Sequence, residues 1–484
     1  MSEEPKSARI HLSTEQAAAQ SRQSYQSSAL LELVLKFLQI PGQVLLVQGP
    51  PGSGKTTFAL EILKRMDDTH KIYASSRVSP ARLRLSFPWI DEVIDAMSGR
   101  TARASWIDEL HDMRRVEPDT IFNQILRLKH SKQKALLVVD SWEGAVRNTN
   151  PEGRKMLESA VLSELDESKV SVVIVTEEAK TTSELGYLVD GIATLDQSTL
   201  ENRRVRTIAL NKLRGFKIPS IQAIFSLDRG RFSLLPDNGL NHKPHQTPSV
   251  LEPIRHPTGA YSIGSRDLDR ALGGSIRRGS FVLIDVDSNV SPVDMQGILN
   301  MMRANFVNQG GACFIVPTGA YSSEAIAASL KQYVPPAALE ERVRITEFNP
   351  AYALEKWRVQ VKVKLLDDVK TFVRVWNELE STSSDKMMEV DFDKVAQVYG
   401  EDLSLPGFSE LGSGMRDAGA LNIGVASRHT RLREEFLRTA DYHLKIQEIE
   451  GSLVMYGVKP FTAVYGVNLN YDSGYPILKL MEIV

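Results

Sequence analysis

The chain has 484 residues, 42% hydrophobic and 24% charged, and its 58 Lys+Arg against 60 Asp+Glu leave a formal net charge of −2. That length exceeds what one ordinary core serves, so two or three domains are expected. The near-neutral balance argues against a global nucleic-acid-binding field, and no run of 18 apolar residues suggests a membrane-spanning helix.

The opening segment MSEEPKSARIHLSTEQAAAQ is polar and lacks the apolar core of a signal peptide. The single cysteine, Cys313, lies in the apolar run ACFIV, where it reads as a small buried hydrophobe. A cytoplasmic protein with no membrane partner is the expectation.

After a polar leader at residues 1–25, SALLELVLKFLQI has the apolar spacing of a helix. Short apolar runs then alternate with amphipathic stretches: QVLLVQG, KIYAS, ALLVVD, VSVVIVT and GIATL. Each is rich in Val, Ile and Leu without polar alternation, as strands buried on both faces are. The order predicts an α/β domain over residues 26–235 with a mostly parallel central sheet flanked by helices. Beyond residue 203, RVRTIALNKLRG and IQAIFSLDRGRFSLLP read as antiparallel strands closing that sheet.

Residues 236–259 carry five prolines and almost no apolar periodicity, the composition of a linker. Past it the element order repeats through SFVLIDV, ACFIVPT, RVRITEF, KMMEVDFD, LNIGVAS, HLKIQEI and GSLVMYG. A second α/β domain of similar size is expected over residues 260–484, from an internal duplication.

The first domain holds the pattern G-x-x-x-x-G-K-[ST] in full, as Gly49, Pro50, Pro51, Gly52, Ser53, Gly54, Lys55 and Thr56, followed by Thr57. It stands between an apolar strand and an amphipathic helix, where converging backbone N–H groups and the helix N-terminus cradle phosphate. Lys55 is expected on the β- and γ-phosphates of ATP, and the Thr56 hydroxyl on Mg²⁺. Asp140, ending the strand ALLVVD, is the expected acid of the magnesium shell. Thr176 and Glu177, at the end of VIVTEE, fall where a residue could sense the γ-phosphate or its attacking water. Helix capping is the alternative role for Asp140 and for Glu177. Five histidines, His111, His130, His242, His245 and His256, show no metal-ligand spacing.

Together GPPGSGKTTFALEIL, ALLVVDS, VIVTEE, GYLVDGIATL and the K-x-R-G of Lys212 to Gly215 resemble the KaiC-like branch of the RecA-superfamily ATPases. TGAYSIGSRDLDRALGGSIRRGSFVLI resembles the opening of a second such domain, so the resemblance spans most of the chain as two tandem domains. It implies that Lys212 and Arg214 reach the nucleotide of a neighbouring subunit, and hence a homo-oligomer. Among members with one degraded half, the architecture and the SSRVSP segment are similar to the archaeal gas-vesicle regulatory GvpD-type proteins.

Two departures from the KaiC-like pattern shape the functional expectation. The second strand of such ATPases usually ends in paired glutamates that polarise water, but here Ser75, Ser76 and Arg77 follow KIYA. Hydrolysis should therefore be slow unless Glu177 or Glu143 substitutes. In the second domain, Val286, Asn289, Ser291, Pro292 and Val293 stand where Gly49, Gly52, Gly54, Lys55 and Thr56 do in the first, leaving no phosphate cradle. The expected function is ATP binding, with slow turnover, that controls assembly or a protein partner through the second domain. The alternatives are a DNA-dependent ATPase or recombinase paralogue and a scaffold with structural ATP. The basic stretches RLKHSKQK, SIRRGS and SRHTRLREEFLR are the candidates for nucleic acid, which is the less favoured partner.

Overall fold

The computed structural model describes residues 29–94, 101–103, 106–114, 126–128, 134–146, 152, 154, 169–177, 184–236, 247–349, 355–381, 383–401, 412–427 and 433–484. The leader at residues 1–25 lies outside them. The chain divides into two compact units, residues 1–236 with Val484 and residues 237–483. Both are α/β.

In the first unit helix α1 (Ala29–Gln39) buries Leu30, Leu31, Val34, Phe37 and Leu38, the stripe that its apolar spacing dictates. Among the described residues its main sheet has nine strands: β1 (Val44–Gln48), β2 (His70–Ser75), β3 (Glu109–Asp112), β4 (Ala135–Asp140), β5 (Val170–Thr176), β6 (Gly191–Leu200), β7 (Arg203–Leu213), β8 (Gln222–Ser226) and β9 (Ser233–Leu234). They are ordered β3-β2-β4-β5-β1-β6-β7-β8-β9. From β3 to β6 every pairing is parallel. Strands β7 to β9 complete the sheet in antiparallel fashion. Every residue of β1, β4 and β5 is buried, which is why these strands read as unbroken apolar runs. Strand β1 lies between β5 and β6 rather than beside β2. Its carboxyl end is thus at a switch in strand order, where open α/β sheets bind ligands.

In the second unit the described strands of the main sheet are β10 (Phe281–Val286), β11 (Ala312–Val316), β12 (Val343–Glu347), β13 (Arg358–Gln360), β14 (Lys386–Asp391), β15 (Leu421–Ser427), β16 (Tyr442–Ile449), β17 (Ser452–Lys459), β18 (Tyr465–Asn470) and β19 (Ile477–Glu482). Their order is β13-β12-β11-β14-β15-β10-β16-β17-β18-β19. Set beside the first sheet, β10 takes the place of β1, β14 that of β4, β15 that of β5 and β16 that of β6. The last three strands are again antiparallel. Strand β13 is the addition. The repeat in the sequence is therefore a repeat of topology.

After β1 comes helix α2 (Lys55–Arg65), and after β10 comes helix α3 (Pro292–Val307). Residues 294–307 of α3 are buried throughout, including Asp294, Asn300, Arg303 and Asn305. Such a helix must satisfy its polar groups internally. Arg303 Nε donates to Glu389 of β14 at 2.7 Å, and Asn305 Nδ2 donates to the Ser262 carbonyl at 3.0 Å.

Residues 237–246 of the proline-rich segment lie outside the described residues. Residues 247–259 form no helix or strand, yet the second unit fixes them. Leu251 is buried, its N–H donates to the Tyr333 carbonyl at 2.9 Å, and the Ile254 N–H donates to Asn305 Oδ1 at 2.7 Å. Among the described residues no helix is long and apolar enough to cross a membrane.

Candidate functional site

From β1 the backbone turns through Gly49 (φ 149°), Gly52 (φ 77°) and Gly54 (φ 101°) before entering α2. A Cβ at Gly49 would stand 2.1 Å from the Leu195 carbonyl oxygen, so only glycine lets the loop lie against β6. Lys55, the first residue of α2, folds back beneath the loop and donates to the carbonyls of Gly49 at 2.7 Å and Pro50 at 2.8 Å. Arg206 on β7 braces the loop from outside, donating to the Gly52 carbonyl at 2.8 Å. The Ser53 hydroxyl is buried without a hydrogen-bond partner among the described residues. Pro51 and Gly52 are exposed, and Thr57 is buried in the first turn of α2. A preformed ring of backbone, a buried ammonium and an orphaned hydroxyl are the parts of an anion cradle.

Strand β4 delivers Asp140 to the same place. Its Oδ2 accepts from the Thr56 hydroxyl at 2.7 Å and from the Tyr73 hydroxyl of β2 at 2.5 Å. Burial and the Asp140 charge push the Tyr73 pKa well above the ordinary phenol value, so it stays a donor. The Asp140–Ser141 peptide is cis. Ser76 secures this strand end, donating to the Ser141 carbonyl at 2.7 Å and accepting from its N–H at 2.9 Å. Ser76 is thus a scaffold hydroxyl at the end of β2.

Burial lowers the pKa of Lys55, against the opposing pull of Glu177, Asp140 and Glu143. Glu177 is paired with Arg77, the residue that follows the two serines. Glu143, on the short helix Trp142–Ala145, accepts at Oε1 from the Thr176 hydroxyl and from the Glu177 N–H, the latter at 2.8 Å. The structure therefore gathers Lys55, Thr56, Asp140, Thr176, Glu177 and Glu143 around one loop. Tyr73 and Arg206 belong to the same cluster, and no local pattern in the sequence marks them.

Lys212 and Arg214 stand apart from it. Lys212 Nζ donates to the Val189 carbonyl at 2.6 Å, and Arg214 pairs with Asp190 at 2.8 Å. The Arg214 side chain is 64% exposed.

In the second unit the corresponding place is built differently. Ser291 caps α3, accepting from the Val293 N–H at 3.3 Å, and Pro292 opens the helix where Lys55 opens α2. Asn289 Nδ2 donates to the Glu448 carbonyl at 2.8 Å. Asp285 at the strand end is 3% exposed and accepts from Arg433 Nη2 at 2.7 Å, with His443 Nε2 at 3.4 Å. Burial raises its pKa, but His443 and Arg433 more than offset this and hold it below the ordinary aspartate value. A void of about 10 Å³ lies beside Asp285 and Asp287. These residues do not fit a triphosphate. Asp391, the counterpart of Asp140, caps the following helix through the Lys394 N–H at 2.6 Å.

Of the basic stretches, only Arg127, Leu128 and Lys134 of RLKHSKQK are described, and residues 428–432 of SRHTRLREEFLR lie outside the described residues. In SIRRGS, Arg278 is engaged by Asp385 at 2.6 Å and by the Tyr261 hydroxyl at 3.0 Å.

Residues 34–214 match the family model described as GvpD gas vesicle protein, P-loop domain. The chain is 22% identical to Protein GvpD1 of Halobacterium salinarum, over 94% of this chain and 96% of that protein. It is 24% identical to Protein GvpD2 of the same organism, over 93% of this chain and 95% of that one. The resemblance to GvpD-type proteins thus runs through both units, and the cradle built by Gly49 to Thr56 lies inside the matched P-loop domain. Such a domain implies nucleotide binding.

Proposed function

We propose that this chain, similar along nearly its whole length to GvpD gas-vesicle proteins, is a cytoplasmic regulator of gas-vesicle production switched by ATP. The first unit binds ATP through the loop of Gly49 to Thr57. Magnesium would be held by Thr56 and Asp140, whose oxygens lie 2.7 Å apart, and when bound it would neutralise charge on the β- and γ-phosphates. The observation that carries this reading is Lys55, buried under a loop of left-handed glycines beside that Thr56–Asp140 pair. The second unit keeps the topology without the cradle, and its retained role is assembly or the binding of a protein partner. Ser75, Ser76 and Arg77 replace the expected water-polarising glutamates, so turnover is slow and depends on a substitute carboxylate, Glu143 or Glu177. Lys212 and Arg214 would serve a neighbouring subunit only after leaving Val189 and Asp190.

Calorimetry with MgATP on the wild type and on Lys55→Ala, with sedimentation of each state, tests the proposal. One site per chain, lost in the variant, is expected. Two sites per chain, or binding that survives the substitution, would overturn it.

A further inference from the structure

The carboxylates that act on the Lys55 ammonium are Glu177, Asp140 and Glu143. Asp140 is taken: its Oδ2 already accepts from Thr56 and Tyr73, and it faces the magnesium position. Glu177 is neutralised by Arg77. Glu143 differs from both. One oxygen is anchored by the Thr176 hydroxyl and the Glu177 N–H, while Oε2 is buried with no hydrogen-bond partner among the described residues. A buried carboxylate oxygen without a partner is costly and calls for a function. Its anchor is well placed, because Thr176 lies in register with Gln48, the last residue before the phosphate loop.

Resting on the MgATP reading, we infer that Glu143 is the general base of this site, replacing the absent pair at the end of β2. Oε2 takes a proton from water as the water oxygen bonds to the γ-phosphorus. The bond from that phosphorus to the β,γ-bridging oxygen breaks, its electron pair leaves with ADP, and the proton passes from Glu143 to solvent. Thr176 is a positioning residue that holds the carboxylate in the orientation this transfer requires. Arg77 keeps Glu177 out of the reaction, so the two acids adjoining Thr176 have separate duties.

The test pairs MgATP calorimetry with single-turnover phosphate release, on wild type, Glu143→Gln, Glu143→Asp, Glu177→Gln, Thr176→Val and Thr176→Ser. Glu143→Gln should bind MgATP within about threefold of wild type yet release phosphate about 10²–10⁴-fold more slowly, the usual contribution of a general base. Glu143→Asp should recover part of the rate. Thr176→Ser should retain the rate that Thr176→Val loses, and Glu177→Gln should cost less rate than Glu143→Gln. Wild-type turnover in Glu143→Gln with ATP bound would overturn the assignment, as would a wild type that binds MgATP without releasing phosphate. Failure of the wild type to bind MgATP would instead overturn the reading on which the assignment rests.

Discussion

The Tyr73 hydroxyl donates to Asp140 Oδ2 at 2.5 Å, on the same oxygen that accepts from Thr56. A fully buried phenol thus fixes the acid that faces the phosphate loop. Tyr73→Phe removes a hydrogen bond to a charged group, a contribution of about 1.5–3 kcal/mol. Urea denaturation should show that loss, with MgATP affinity reduced in parallel. Unchanged stability would mean that Asp140 is held by Thr56 alone.

Gly49 cannot accept a side chain. Its φ of 149° and the 2.1 Å approach of a would-be Cβ to the Leu195 carbonyl leave only backbone to give way. Gly49→Ala should destabilise the first unit by about 1–3 kcal/mol and abolish nucleotide binding. Gly52 has nothing within 4 Å of the corresponding position, so Gly52→Ala should carry backbone strain without the clash. Thermal melts and MgATP titrations of the two variants should rank them in that order.

Arg303 and Glu389 form an ion pair with side chains 0% and 1% exposed. Removing one partner leaves an uncompensated buried charge, so Arg303→Met should cost about 3–5 kcal/mol. The double variant Arg303→Met with Glu389→Met should be the more stable of the two. A double-mutant cycle by chemical denaturation measures this, and additive losses would contradict it.

Burial pushes the Asp391 pKa up to about 7 from an ordinary value of 3.8. The folded state therefore holds this proton more tightly than the unfolded chain. Its stabilising contribution is fully present below about pH 3.8 and is lost as the pH rises through about 7. The total is on the order of 4 kcal/mol, at about 1.4 kcal/mol per tenfold change in proton affinity. Asp391→Asn keeps an acceptor for the Lys394 N–H and removes the titration. Its stability relative to wild type should therefore rise between about pH 4 and 8, as read from denaturant midpoints. A constant difference across that window would contradict the assignment.

Short-range pattern carried much of this protein. Buried parallel strands have no solvent face, so QVLLVQG, ALLVVD and VSVVIVT are apolar at every position and legible one by one. The loop from Gly49 to Thr56 is equally local, because its glycines, lysine and threonine serve one turn of backbone. The same alignment of strands located the missing cradle at Val286 to Val293. Only tertiary structure decided what surrounds the loop. Tyr73 comes from β2, Arg206 from β7 and Glu143 from a turn after β4, and nothing in their neighbours records where those strand ends meet. Nor did the sequence separate Glu143 from Glu177. Each follows an apolar strand, and the difference is which one Arg77 reaches across the sheet. Motifs are set by contacts between neighbours in the chain, whereas the partners of a carboxylate are set by folding.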